Sequence, residues 1–158
     1  TPSWTWHDHG NPAGDPVVWL DGLDIPLVRF FDCGFAENYP EDTQPVLRPE
    51  GDALARYGSN LLPVDFRPAH GASPVFAYPF ARSAEALRRL ESAGPPDVCH
   101  GYKMQFVNPT TGGSAMPTMG AWIQRLPKGF AGRDYRSTDG TVVHVIDGEG
   151  SAVIGGRR

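Results

Sequence analysis

The stretch Pro2-Ser-Trp-Thr-Trp-His-Asp-His-Gly-Asn11 is the most informative part of the sequence, because it sets two histidines among aromatic residues typical of strands. Alternate side chains of a β-strand point to the same face, so His7 and His9 are expected side by side. Imidazole is a common ligand of iron and other transition metals. One of the two would then bind a metal, and the other would stand beside it. Within this stretch alone, two surface or hydrogen-bonded core histidines remain an alternative.

The composition limits the class of protein. The chain has 158 residues, 40% of them hydrophobic, and it contains 19 Gly and 16 Pro. This length fits one domain or two small ones, and the composition favours short strands joined by tight turns. The formal net charge is −4, and adjacent basic residues occur only as Arg88-Arg89 and Arg157-Arg158. A nucleic-acid partner is therefore not expected.

Two further features concern the cellular compartment. Cys33 and Cys99 are far apart in the sequence and form no C-x-x-C motif, which favours a reduced cytoplasmic protein. A single disulfide between them is the alternative. No apolar run reaches about 18 residues, and no signal-peptide pattern occurs. We predict a cytoplasmic protein with no membrane partner.

The chain divides into three predicted segments. Residues 1–31 are expected to be strands and to end a first barrel, residues 32–102 a connector, and residues 103–158 the start of a second barrel. The connector holds one predicted helix, Ala84–Ser92, with Ser83 as its N-cap and Gly94 as its end. The predicted strands are Trp4–His9, Pro16–Asp21, Pro26–Phe31, Lys103–Val107, Ala121–Leu126, Thr141–Ile146 and Ala152–Ile154.

Both ends of the chain resemble the metal-binding motifs of the cupin β-barrels. Residues 2–11 fit P-x-G-x-x-H-x-x-x-N, with His7 at the ligand position and Trp4 in place of glycine. Residues 129–148 fit the spacing of the other motif, G-x5-H-x-H-x3-4-E-x6-G, but carry Tyr135 and Ser137 at its ligand positions. The resemblance implies an all-β fold of two double-stranded β-helices, a bicupin, whose second barrel lacks a metal.

Taken together, the chain resembles the bicupin ring-cleaving dioxygenases, the family of gentisate, salicylate and 1-hydroxy-2-naphthoate 1,2-dioxygenases. The matching stretches run through nearly all of the chain in one order. They are Trp6–Asn11, Pro16–Val28, Ala55–Gly58, Ser73–Pro79, Val107–Gly113, Met116–Thr118 and Tyr135–Asp139.

The resemblance implies a non-haem Fe(II) enzyme that converts gentisate and O₂ to maleylpyruvate in aromatic catabolism. The family's iron is held by three histidines, of which His7 would be one. The other two are expected upstream of Thr1, so we expect an internal fragment of a homotetrameric enzyme, with both barrels incomplete. Alternatives are a salicylate or 1-hydroxy-2-naphthoate dioxygenase, and a non-enzymatic bicupin that serves only binding or assembly.

Other residues receive roles beside His7. His9 is expected to hydrogen-bond the substrate hydroxyl or O₂ and to act as an acid or base, with a purely structural role as the alternative. Asp21 would orient an imidazole or the small aromatic hydroxy acid, although Asp24 could do so instead. Arg29 and Arg56 are candidates for binding the substrate carboxylate, with structural ion pairs as the alternative.

Overall fold

The structure is a computed structural model that describes residues 5–69 and 71–158. The described residues form three helices, α1 (Ile25–Phe30), α2 (Asp52–Tyr57) and α3 (Phe80–Ala93), and two strands, β1 (Tyr102–Gln105) and β2 (Trp122–Arg125). Trp4, where the first predicted strand begins, and His70 lie outside the described residues. The boundaries drawn after residues 31 and 102 stay predictions.

The two strands form an antiparallel pair, with Tyr102 opposite Arg125 and Gln105 opposite Trp122. Gly101 leads into this pair with a φ of +65°, and a Cβ atom there would come within 2.8 Å of the Arg125 carbonyl oxygen. Only glycine satisfies both demands without strain. The strands predicted at Lys103–Val107 and Ala121–Leu126 are thus confirmed, each with slightly shorter bounds.

Helix α3 packs against this strand pair and confirms the predicted helix. The Tyr102 hydroxyl donates a hydrogen bond to the Gly94 carbonyl at the end of the helix, and Arg125 pairs with Glu91 at 2.9 Å. The helix begins four residues earlier than predicted, so Ser83 as N-cap was wrong. Pro79 is the N-cap, and the Ser83 hydroxyl donates back to the Pro79 carbonyl at 3.1 Å. A serine inside a helix commonly makes such a bond one turn back.

The strand predicted at Pro26–Phe31 was wrong, because these residues lie in or next to α1. The N–H groups of Leu27 and Val28 both donate to the Asp24 carbonyl, which closes the first helical turn. Pro26 lies at the start of the helix, where its fixed φ suits a helix and its missing N–H costs nothing.

Other predicted strands lack the partners that a strand requires. Residues 5–9, 16–21 and 141–146 enter no ladder with the described residues, and the predicted strand Ala152–Ile154 contributes only an isolated bridge between Ile154 and Arg157. The backbone N–H and C=O groups of a strand need hydrogen-bond partners on a neighbouring strand. Alternating apolar and polar residues alone therefore do not form a strand. The all-β prediction is therefore met in the described residues only by β1 and β2.

Helix α2 was missed in the sequence. Gly51 in the left-handed conformation leads into it, and Asp52 in its first turn pairs with Arg48 at 3.0 Å and Arg56 at 2.9 Å. Hydrogen bonds from these two guanidinium groups hold the pKa of Asp52 below its usual value. The helix is only six residues long, so its short apolar pattern gives little signal.

The buried core lies where residues 71–78 meet the loop after β1. Asn108 is fully buried and acts as the centre of this contact. Its amide donates to the Gly71 carbonyl at 3.1 Å and accepts from the Thr110 N–H at 2.9 Å. The hydroxyl of Tyr78 bridges Ser73 and the Val107 carbonyl, at 2.8 Å each. Apolar residues complete the core: Ala72, Val75, Leu87 and Tyr102.

The remaining surface is unusually large. The chain exposes 13747 Å². A folded monomer of its mass, 17.2 kDa, is expected to expose about 7,800 Å². Large apolar side chains such as Val18, Phe30 and Val142 are more than 80% exposed. Much of the apolar surface is thus not covered by the described residues.

Candidate active site

His7 and His9 lie next to each other, as their alternation predicts. Their ring centroids are 5.6 Å apart and the rings are nearly perpendicular, at 81°. Both residues are exposed. Two accessible imidazoles on one side of the segment are the arrangement that a ligand and a neighbouring acid or base require.

Trp19 joins this pair from the next segment. Its ring stacks on the His9 imidazole, with centroids 5.3 Å apart and an interplanar angle of 21°. The contact brings residues 16–21 to the histidines although these residues form no strand. The sequence placed Val17, Trp19 and Asp21 on one face, but it gave no signal that Trp19 would meet His9.

The other side of residues 6–9 contacts the connector. Trp6 meets Tyr39 edge to face, with centroids 5.3 Å apart, and the Asp8 carboxylate accepts a hydrogen bond from the Gln44 N–H at 3.1 Å. Odd and even residues therefore face different segments, as in an extended chain. Trp6 thus packs on an aromatic residue of the connector, Tyr39.

Asn11 closes the turn that follows the histidines. Its amide donates to the Asp15 carbonyl at 2.8 Å, and its side-chain oxygen accepts from the Ala13 N–H at 3.2 Å. An asparagine that bonds the backbone two residues on is a common turn device. The turn directs the chain back toward Trp19.

The structure separates the two candidate carboxylates. Asp24 accepts a hydrogen bond from the Thr118 hydroxyl at 2.6 Å, and its carbonyl begins helix α1. Asp21 is exposed and makes no hydrogen bond or ion pair with the described residues. Asp24 therefore has a structural partner, whereas Asp21 is available for another contact.

A metal would find suitable ligands here but too few of them. Imidazoles suit Fe(II), and His7 offers one that no hydrogen bond to a described residue occupies. Among residues 5–69 and 71–158, however, no three His, Cys, Asp or Glu side chains are grouped to hold a metal ion. The donors fit iron in kind, and a complete site needs ligands from elsewhere.

The Tyr135 position has a different neighbour from the one expected. The Tyr135 ring contacts His100 edge to face, with centroids 4.4 Å apart. His144 lies closer along the chain and is the imidazole expected near this position, but the ring contact that the structure shows is with His100. Ser137 accepts a hydrogen bond from the Asp139 N–H at 3.4 Å, as a turn residue does.

Arg56 is not available for a substrate carboxylate. Its Nε lies 2.9 and 3.1 Å from the two carboxylate oxygens of Asp52. This hydrogen bonding raises the pKa of Arg56. The structural ion pair, offered in the sequence as the alternative, is therefore the one observed.

A cleft of about 620 Å³ lies away from the histidines. Leu54, Tyr57, Phe66 and Phe76 are among the residues that line it, and none of His7, His9 and Asp21 is. Its wall is mainly apolar, and two of its charged residues, Arg48 and Asp52, pair with each other at 3.0 Å. The paired histidines remain the candidate site.

Comparison with known proteins identifies the relatives of the chain. No family model matches it. It is 54% identical over 155 residues to gentisate 1,2-dioxygenase 1 of Aquipseudomonas alcaligenes, a match that covers 98% of this chain and 45% of that protein. It is 36% identical to a 1-hydroxy-2-naphthoate 1,2-dioxygenase of Nocardioides sp. (strain KP7), with 97% and 39% covered. It is 33% identical to a 5-aminosalicylate 1,2-dioxygenase of Comamonas sp., with 99% and 41% covered.

The chain is thus a relative of the ring-cleaving 1,2-dioxygenases, and the resemblance predicted from its motifs is confirmed. Among these relatives, gentisate 1,2-dioxygenases recur at identities from 32% to 54%. The chain spans less than half the length of these proteins.

Proposed function

We propose that the chain is part of a longer protein, called here the full-length protein, which is a gentisate 1,2-dioxygenase. It would convert gentisate and O₂ to maleylpyruvate in the aromatic catabolism of the cytoplasm. One observation carries this proposal. In a chain 54% identical to a gentisate 1,2-dioxygenase, two accessible imidazoles meet at the predicted ligand position.

The proposed fold is a bicupin, to which this chain contributes the end of one barrel and the start of the next. The large exposed surface, 13747 Å², supports the proposal that other parts of the full-length protein pack against this chain. The family commonly forms tetramers, and we include a homotetramer in the proposal. Among the described residues, no helix is long and apolar enough to cross a membrane.

His7 is the proposed iron ligand of this chain, and two further histidines would come from elsewhere in the full-length protein. When bound there, Fe(II) would supply positions for the substrate's carboxylate and adjacent hydroxyl and for O₂. Holding the ring and the oxygen side by side is itself a large part of catalysis. The chain's other residues then determine how the substrate is oriented and where its proton goes.

His9 is the proposed proton-handling residue. It lies beside the ligand and has no hydrogen bond to a described residue, so both its nitrogens are available to a substrate hydroxyl. Asp21 lies two residues after Trp19, which stacks on His9, and its carboxylate makes no hydrogen bond with the described residues. We assign it the orientation of the substrate or of an imidazole.

A second candidate function comes from the relatives that are named for other substrates. The matches to 1-hydroxy-2-naphthoate and 5-aminosalicylate dioxygenases favour a related activity on another aromatic acid, which includes the salicylate activity predicted above. A non-enzymatic bicupin would bind an aromatic acid without consuming O₂. Both candidates are separated from the first by direct assay.

The experiment uses the full-length protein, reconstituted anaerobically with Fe(II), and measures O₂ uptake and the ring-opened product. We expect gentisate to be cleaved with a higher kcat/KM than salicylate or 1-hydroxy-2-naphthoate. The 158-residue chain in the same assay should bind iron weakly and cleave nothing. Iron-loaded full-length protein that consumes no O₂ with any of these acids would overturn the proposal, as would stoichiometric iron and turnover in the 158-residue chain.

A further inference from the structure

We propose that Trp19 is a positioning residue that fixes the ring plane of His9, and this inference rests on the function proposed above. The indole lies nearly parallel to the imidazole, at 21° and 5.3 Å between centroids. His7 meets the same imidazole nearly perpendicularly, at 81°. His9 is therefore oriented by an aromatic ring on its face and by the ligand residue at its side.

Stacking constrains the imidazole without occupying its nitrogens. Both nitrogens lie in the plane of the ring, at its edge, whereas the indole covers a face. A hydrogen bond to a carbonyl or carboxylate would also fix the plane, but it would use one of the two nitrogens. His9 makes no such bond with the described residues. The stack thus provides orientation and leaves the proton-transfer sites free.

The rest of the segment supports this division of roles. The side chains of Trp6 and Asp8 are held by Tyr39 and Gln44 on the opposite side. Those contacts fix the backbone of residues 6–9, but they do not restrict rotation of the His9 ring about its own side-chain bonds. Trp19 is the aromatic residue that contacts that ring from another segment. It remains 56% exposed, so its role is not that of a buried core residue.

The test compares Trp19→Leu, Trp19→Phe and the remote control Trp122→Leu in the full-length protein. Trp122 packs under the Lys103 ammonium on β2, away from His9. A small displacement of a reacting group can reduce turnover about 100-fold, so we expect Trp19→Leu to lower kcat roughly 10- to 100-fold. KM for gentisate should change little, because substrate chelation does not involve the indole. Trp19→Phe should recover most of the turnover, and Trp122→Leu should match wild type.

A second measurement is independent of activity. Crystal structures of the iron-free variants should show the His9 imidazole rotated or in two orientations in Trp19→Leu and in its wild-type orientation in Trp19→Phe. Iron content after loading should be the same in every variant, because His7 is unchanged. Should Trp19→Leu fail to fold, Trp19→Met provides a flexible apolar side chain of more similar volume, and the same results are expected for it.

The outcomes separate this inference from the proposed function. Unchanged kcat and an unchanged His9 ring in Trp19→Leu, with active wild-type enzyme, would overturn the role of Trp19 alone. Equal losses in Trp19→Leu and Trp19→Phe would also overturn it, because a stacking role must survive in phenylalanine. Wild-type protein without ring cleavage would overturn the proposed function together with this role, even if the crystal structures still showed the stack.

Discussion

Two regions of the molecule differ sharply in how they are held. The histidine segment, residues 5–31, carries the candidate site and consists of exposed chain with one short helix. The packed segment, residues 71–125, contains the buried core, helix α3 and the strand pair. Ring contacts and single hydrogen bonds hold the first segment, whereas a buried polar network and apolar packing hold the second.

The contrast indicates that the region with the proposed chemistry depends on other surfaces for its stability. A binding site must leave its reactive side chains accessible, and His7, His9 and Asp21 are all exposed. Among the described residues, a hydrogen bond from the Thr118 hydroxyl to Asp24, at 2.6 Å, links the packed segment to this region. Changes in the histidine segment should therefore affect iron and turnover, and changes in the buried core of the packed segment should affect folding.

The largest effect is expected for His7→Ala in the full-length protein. Loss of one of three imidazole ligands should abolish iron retention and with it all measurable ring cleavage. Iron analysis after anaerobic loading and desalting is the measurement, with Trp122→Leu as a control that should retain iron. Full iron occupancy in His7→Ala would show that His7 is not an iron ligand. The histidine segment would then not differ from the packed segment in iron binding.

His9→Ala should have the next largest effect. Its iron content is expected to match wild type, while kcat falls about 10²–10⁴-fold, the usual contribution of a general acid or base. Measuring iron and kcat on the same sample distinguishes this result from that of His7→Ala. Equal iron loss in the two variants would make His9 a ligand or a structural support.

The packed segment is tested by Asn108→Ala. This change removes a buried amide that bonds the Gly71 carbonyl and the Thr110 N–H, and it leaves both groups unpaired. We expect the free energy of unfolding to fall by about 1–3 kcal/mol, the usual cost when a buried hydrogen-bonding group loses its partner. Urea unfolding of the full-length protein is the measurement, and the exposed Asn38→Ala should change it little. Iron bound per folded chain should stay unchanged.

The sequence predicted the adjacency of His7 and His9 better than it predicted the secondary structure. Alternation placed His7 and His9 on one side of the chain because that period is local and survives without strand partners. The helix around Leu87 was predicted because its apolar face and its Gly94 end are also local. These are signals that neighbouring residues alone generate.

What the sequence could not predict depends on distant partners. Residues 16–21 and 141–146 have strand-like patterns, but no neighbouring segment among the described residues bonds to them. The Trp19–His9 stack and the His100–Tyr135 contact join residues that are 10 and 35 positions apart. Motif spacing carries no information on such contacts, because the fold between the two residues brings them together.

A smaller effect is expected from Asp97, which organises the turn before β1. Its carboxylate accepts the N–H groups of Cys99 at 2.9 Å and His100 at 2.8 Å. These hydrogen bonds lower the pKa of Asp97 in the folded protein. The stabilisation is therefore complete above the unfolded value, about 4, and is lost as the pH falls through the lower folded value.

Asp97→Asn should accordingly unfold at lower urea concentration than wild type at pH 7, and this difference should shrink as the pH falls below about 4. The exposed Asp42→Asn has no hydrogen bond to a described residue and serves as the control. A difference that stays constant from pH 7 to pH 3 would mean that the charge of Asp97 does not contribute through these bonds.

The smallest effect is expected for Tyr135→Phe, and it tests whether the two motif regions differ in metal content. Tyr135 occupies a ligand position of the second motif, yet its contact is a ring edge against His100, 4.4 Å between centroids. Phenylalanine keeps that ring and removes only the hydroxyl, which makes no hydrogen bond with the described residues. The full-length protein should hold one iron per chain with either residue, and stability should change by less than about 0.5 kcal/mol. Tyr135→Ala, which also removes the ring, should leave the iron content unchanged but destabilise the protein more than Tyr135→Phe. Two irons per chain in wild type, or loss of iron in Tyr135→Phe, would mean that the second region binds metal too, with His100 as the imidazole already in contact with this position.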